Sequence, residues 1–282
     1  MAEHTDSTAM SVALRVQNSL RAEFGRLEEM AVAVRAADAE ALHQFRVSAR
    51  RARAVIRAAR PVVGDYYATL DLELRWLGAE TGDARDLEVL QANLEPVIAE
   101  LDVDTEGGLA ILAVVRADQE VARQRVLNAL LSERFAELLD VFRSVTERPA
   151  AVVGNESPET IARNQVERLW KARRRLGDDP TDIALHAIRI KVKRTRYAVD
   201  VLIGREAEAS RELTKALRNL QNLIGVHQDA HVAEERIRDY AVSGAELAAG
   251  RIIERERGIR AKVRQRLPAA WRRLARASGT AT

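Results

Sequence analysis

Between Ala41 and Arg60 the chain carries six arginines, one histidine and no acidic residue. On a helix, His43, Arg46, Arg50, Arg53, Arg57 and Arg60 fall within an arc of about 100°. Ala41, Phe45, Ala52, Val55, Ile56 and Ala59 cluster on the opposite side. The spacing therefore predicts an amphipathic helix whose polar face bears one sign of charge. A solvated face ordinarily mixes acids and bases; like charges four apart, as in Arg46/Arg50 and Arg53/Arg57, cost about 0.2–0.5 kcal/mol per pair. Arg46 to Arg60 spans roughly 21 Å of helix. A row of guanidiniums on that scale suits a linear polyanion, to which each can offer forked hydrogen bonds. The competing reading is neutralisation by acidic helices elsewhere, since 42 Asp and Glu are available. A hybrid, with some arginines in structural ion pairs, is the third. A histidine near a helix N-terminus can donate to a phosphate and take up a proton when the anion binds.

The same element occurs twice, at a constant offset of 143 residues. Leu42-His43 aligns with Leu185-His186, Arg46 with Arg189, Arg50 with Lys193, Arg51 with Arg194 and Arg53 with Arg196. Further on, Arg75 aligns with Arg218, Leu77 with Leu220, Gly82 with Gly225, Asp86 with Asp229 and Val89 with Val232. The second stripe is His186, Arg189, Lys193 and Arg196, with Arg194 on its flank. His227 and His231 align with Ala84 and Glu88 and receive no role, nor does His4.

The elements that must position these residues read as helices almost throughout. Ala, Leu, Arg, Glu and Gln dominate, and no alternating strand pattern or hairpin signal is present. Helices are expected near 11–36, 39–60, 66–81, 85–101, 108–130 and 132–147, and near 159–176, 181–203, 206–224, 229–241, 245–266 and 269–277. The expected fold is all-α, a duplicated helical bundle with pseudo-twofold symmetry. Repeats span about 8–148 and 158–278, within one domain over 8–278. A linker lies at 149–157 and flexible termini at 1–7 and 279–282.

Composition excludes several chemistries. There is no cysteine, so disulfides, thiolate metal sites, iron–sulfur clusters and a cysteine nucleophile are ruled out. Net charge is only +3, but just five of the 45 cations are lysine. No apolar run approaches the roughly 20 residues of a membrane helix. The first ten residues lack the order of a secretory signal, and the expected location is the cytoplasm. Gly82 and Gly225 read as helix-closing residues in the left-handed conformation. Asp86 and Asp229 read as caps of the following helix, or as residues that orient the stripes. His43, His186, Asp86 and Asp229 lack a recognisable metal-ligand spacing, so no metal, cofactor or catalytic residue is assigned.

The segments His43–Arg53 and His186–Tyr197, each followed by a Leu–Gly–Asp element, resemble the CHAD (conserved histidine α-helical domain) family over residues 8–278. The resemblance implies two four-helix bundles related by a pseudo-twofold, with basic residues of both halves lining a shared surface or pore that binds inorganic polyphosphate. It implies signature histidines at His43 and His186. The anion-contacting cations would be Arg46, Arg50, Arg51 and Arg53 with Arg189, Lys193, Arg194 and Arg196; Arg75 and Arg218 are further contributors. Gln228, where the first half has Arg85, departs from the pattern and suggests asymmetry. Members of the family are often fused to a CYTH triphosphatase domain; the expectation here is a standalone CHAD protein without one. The expected function is thus non-enzymatic polyphosphate binding, with targeting to polyphosphate granules. Nucleic-acid-backbone binding and a structural role on storage granules are the alternatives, and the oligomeric state stays open.

Overall fold

The computed structural model describes residues 2–38, 40–154, 156–204, 207–240 and 243–280, with side chains from Met10 onward. Residues 1–7 and 281–282 of the segments read as flexible lie outside the described side chains. Ten α-helices and no strand occur among the described residues: α1 (Ala2–Arg35), α2 (Ala41–Val63), α3 (Ala68–Glu80), α4 (Gly82–Ile98), α5 (Thr105–Leu130), α6 (Glu133–Glu147), α7 (Pro158–Arg174), α8 (Asp182–Ala198), α9 (Glu208–Tyr240) and α10 (Glu246–Ser278). The all-α expectation holds. The chain forms two compact units, each drawing on both halves of the sequence. One comprises Met1–Arg85, Arg123–Arg168 and Arg194–Arg211; the other comprises Asp86–Ala122, Leu169–Lys193 and Glu212–Thr282.

In the first unit α1 and α2 pack along most of their length. Val12, Val16, Leu20, Leu27, Ala31 and Val34 of α1 are buried, as are Phe45, Ala49, Ala52, Ile56, Ala59 and Val63 of α2. Both sets recur every three or four residues, so one stripe of each helix meets the other. The end of α6 is capped in trans. Gln17 Nε2 and Arg21 Nη2 both donate to the Thr146 carbonyl, at 2.9 and 2.8 Å, supplying donors that the last turn of a helix lacks. The segment after α6 lies against α2, with the Val153 and Gly154 amides donating to the Val62 carbonyl. A Cβ on Gly154 would sit 2.1 Å from the Pro61 oxygen, so only glycine fits.

The second unit buries Leu87, Leu90 and Leu94 of α4, Ile111 and Val115 of α5, Leu185 and Ile188 of α8, Leu217, Leu220 and Ile224 of α9, and Ile252, Val263, Leu267 and Trp271 of α10. Trp170 stacks obliquely on Trp271 with ring centroids 5.8 Å apart, and its indole N–H donates to Ser278.

Besides α1, which starts at Ala2 where a helix from 11 and a flexible 1–7 were expected, three boundaries differ from expectation. The segments read as 206–224 and 229–241 are one helix, α9, and those read as 245–266 and 269–277 are one helix, α10, with Pro268 inside it. In the first half the corresponding break survives between α3 and α4, at Thr81. The third is at α8, which ends at Ala198 and runs into a π-helical turn, Val199–Ile203, where a continuous α-helix to 203 was expected. Arg15 Nη2 donates to the Leu202 carbonyl at 3.0 Å, filling one of the hydrogen bonds that the widened turn leaves open.

Candidate anion-binding site

The α2 stripe forms as its spacing requires, and its members divide. Arg46 Nη1 donates to the Gly78 carbonyl and to Thr81 Oγ1, both at 3.2 Å, and Thr81 Oγ1 donates onward to the Leu77 carbonyl. Arg46 thereby ties α2 to the junction of α3 and α4. Gly82 lies beneath that guanidinium: a Cβ there would be 3.6 Å from Arg46 Nη1. Arg53 and Arg57 converge on Asp71 of α3. Arg53 Nε is 3.1 Å from Oδ1, while Arg57 grips both oxygens at 3.1–3.2 Å. Arg60 pairs with Asp65 at 2.7 Å. His43, near the start of α2, is half-exposed with Nε2 3.9 Å from Glu40. Arg50 is exposed. Arg51, off the stripe, is one of two arginines whose charge holds down the carboxyl of buried Glu23; burial outweighs both and leaves it raised. Arg75 of α3 is exposed, with no carboxylate partner among the described residues.

The α8 stripe begins in the second unit with His186, Arg189 and Lys193. His186 is exposed, Arg189 and Lys193 are partly covered, and no carboxylate pairs with His186. Arg189 is the counterpart of Arg46 in packing as well as alignment, since a Cβ on Gly225 would lie 3.7 Å from its Nε and Nη2. Its Nε is buried without a hydrogen-bond partner. Its charge also faces Asp229, whose carboxyl is nonetheless raised by surrounding protein mass and, secondarily, by Asp86. Arg218 of α9 is exposed without a partner. In the first unit, Arg194 is likewise exposed and unpaired, while Arg196 pairs with Asp200 at 3.4 Å and lies over the Tyr197 ring.

The halves neutralise the same arginine by different means. At the 143 offset, Arg53–Arg57–Asp71 becomes Arg196–Asp200–Thr214. Where the first half sets one acid on α3 between two arginines, the second converts the second arginine to an acid and dispenses with the first acid. The trio keeps a charge of +1 in one half and 0 in the other.

The glycine and aspartate positions need correction. Neither Gly82 nor Gly225 adopts a left-handed conformation: Gly82 opens α4 and Gly225 lies inside α9. They make room for arginine, and Gly64, Gly204 and Gly279 are the positive-φ residues that follow helical segments. Asp86 and Asp229 are not caps, because each lies at least one turn inside its helix and is exposed. The α3–α4 break instead follows Thr81, for which the second half has Ile224.

A charged cluster escaped the sequence reading. Asp182 receives Arg260 Nη1 at 2.7 Å and Arg264 Nη2 at 2.6 Å. Glu234 receives Arg238, Arg257 and Arg260. His227 is fully buried beside them. Its Nε2 is 3.4 Å from Asp182, yet neither ring nitrogen makes a hydrogen bond. Burial, with Arg264 adding, pushes its imidazole down to about 4. His231 Nδ1 lies 3.5 Å from Asp182. Apart from Arg238, which is four residues from Glu234, the arginines sit 23 to 82 residues from their acids, a separation at which no local motif exists. No group of His, Cys, Asp and Glu among the described residues has metal-binding geometry. None of their helices is long and apolar enough to cross a membrane.

Two uncharacterized proteins of Mycobacterium tuberculosis, from strains CDC 1551 and H37Rv, are each 32% identical over 263 residues, which is 87% of this chain and 50% of theirs. The chain thus spans about half the length of the curated relatives it matches. A crystal structure of the CHAD domain from the plant Ricinus communis superposes with TM-score 0.69 at 26% identity, covering 96% of this chain and 92% of that one. PptA from Streptomyces chartreusis gives TM-score 0.71 at 19% identity, covering 92% and 99%, which speaks to the fold alone. Proteins with the CHAD domain are associated with polyphosphate- and triphosphate-related binding. With the CHAD domain profile matching residues 18–238, most of its length, the chain belongs to the CHAD domain family.

Proposed function

We propose that this protein binds inorganic polyphosphate without chemical turnover, through the basic faces of α2 and α8 extended by Arg75 and Arg218, and that binding directs it to polyphosphate granules. The observation that carries the reading is selective neutralisation. Arg53, Arg57, Arg60 and Arg196 have carboxylate partners. On the same or adjoining helices Arg75, His186, Arg194 and Arg218 are exposed and have none among the described residues. Cations left without a carboxylate raise the local positive potential, which an anionic chain relieves. Arginine's fork suits phosphate oxygens. The resulting affinity falls steeply with salt because counterions are released.

Titration of long-chain polyphosphate at two salt concentrations tests this. Arg194→Glu/Arg218→Glu should weaken binding at least about tenfold and flatten the salt dependence, since repulsion replaces attraction. Asp71→Asn should act in the opposite sense, tightening binding by releasing Arg53 and Arg57. Unchanged binding by the folded charge-reversal variant overturns the reading, as does displacement of polyphosphate by equal charge equivalents of DNA.

A further inference from the structure

Helix α10 carries two rows of cations that are treated differently. Arg257, Arg260 and Arg264 lie within about 60° of one another by helical spacing. All three are held by carboxylates: Glu234, Asp182 and Asp179. Arg255, Lys262, Arg266, Arg273 and Arg276 form a second row on roughly the opposite side, within an arc of about 80°. All five are exposed, and none makes a salt bridge among the described residues, although the Arg255 charge also acts on buried Glu256. By spacing the row begins at Arg251, which is anchored by Asp104 and the Leu101 carbonyl. From Arg255 to Arg276 the unpaired part runs about 31 Å.

The bundle does not require this row. The core side of α10 (Ile252, Val263, Leu267, Leu274) lies away from it. Attraction to the helix's negative end favours cations only in the last turn. That accounts for Arg276 and leaves Arg255, Lys262, Arg266 and Arg273 unexplained. Nor did the row arise by duplication. The aligned residues of the first half, Leu112, Gln119, Arg123, Leu130 and Glu133, include one cation.

We propose that the outer face of α10 is a second track for a polyphosphate chain, separate from the stripes of α2 and α8. The proposal rests on the function read above and adds a site to it. The row is one cation wide and straight, which fits a thin linear polymer; a nucleic-acid duplex would leave its second strand uncontacted. Trp271, the aromatic residue nearest by spacing, is buried, so the face offers no stacking platform for bases. Val263 and Leu267 are buried too, and the exposed Leu247 at the head of the helix is a single apolar anchor, too little for a lipid surface.

The test is the variant Arg255→Gln/Arg266→Gln/Arg273→Gln in the full chain, with circular dichroism and thermal unfolding to confirm the fold. Probes are long-chain polyphosphate, tripolyphosphate, duplex DNA and anionic vesicles at two salt concentrations. Long-chain affinity should drop about tenfold and its log–log salt slope should fall by about 2–3, one step per lost phosphate contact. Tripolyphosphate, far shorter than the roughly 31 Å row, should lose much less affinity than the long chain. The corresponding Arg→Lys triple variant, which keeps the charges, should retain most long-chain binding and guards against a fold defect in the glutamine variant. Unchanged long-chain affinity and slope in the folded glutamine variant overturns the second track. So does a loss confined to DNA or vesicles. Should the unaltered protein bind no polyphosphate, the function proposed above fails as well; if Arg194→Glu/Arg218→Glu weakens binding and the α10 variant does not, the second track alone fails.

Discussion

Asp71 and Asp200 answer one electrostatic problem from different positions. An arginine stripe four residues apart repels itself. The first half relieves it with an acid on the neighbouring helix and the second with an acid in the stripe itself. His227 poses the converse problem, a titratable ring kept neutral by burial. Its folded value of about 4 lies below the ordinary 6.5, so between those pH values the unfolded chain holds a proton that the folded chain refuses. Stability should therefore be intact above pH ~6.5 and decline as pH falls towards 4, by on the order of 2–3 kcal/mol. Urea unfolding across that range reads the slope. His227→Leu should flatten it, since its repeat counterpart is the buried Ala84. A slope unchanged in the variant would place the proton uptake elsewhere.

At the scale of elements, glycines separate room for a guanidinium from room for backbone. Gly225→Ala removes a helix-interior glycine, and the new Cβ meets the Arg189 guanidinium at an ordinary 3.7 Å. The variant should match the parent or gain up to about 1 kcal/mol. Were Gly225 a left-handed helix terminus, the same change would destabilise by a similar amount. Gly154→Ala drives a methyl to 2.1 Å from the Pro61 oxygen and should cost about 1–3 kcal/mol. Chemical denaturation of both variants side by side gives the two signs.

At the scale of the molecule, neither compact unit is a half of the sequence. The first takes Arg194–Arg211 from beyond the midpoint, and the second takes Asp86–Ala122 from before it. A fragment ending at Gly154 therefore lacks part of both units. Such a fragment should show reduced helicity and no cooperative thermal transition; mixing it with the remainder should restore both. Cooperative folding of residues 1–154 alone, followed by circular dichroism, would show the halves to be autonomous.

The helices, the one-signed face of α2 and the sequence repeat that matches its cations in α8 were legible in the sequence, because periodicity and like-charge spacing are local and survive without partners. The division within each stripe was not. Whether an arginine is neutralised depends on an acid brought from another helix, as Asp71 is to Arg53 and Arg57 from 18 and 14 residues away. The break expected at Gly225 failed for a similar reason. Glycine permits a helix to end without requiring it, and only the Arg189 side chain packed over it explains why the residue is small. The Asp182–Glu234 cluster was invisible because its members share no motif. Burial on folding lowered the His227 imidazole and drew acids and arginines far apart in the chain into one ion-paired group.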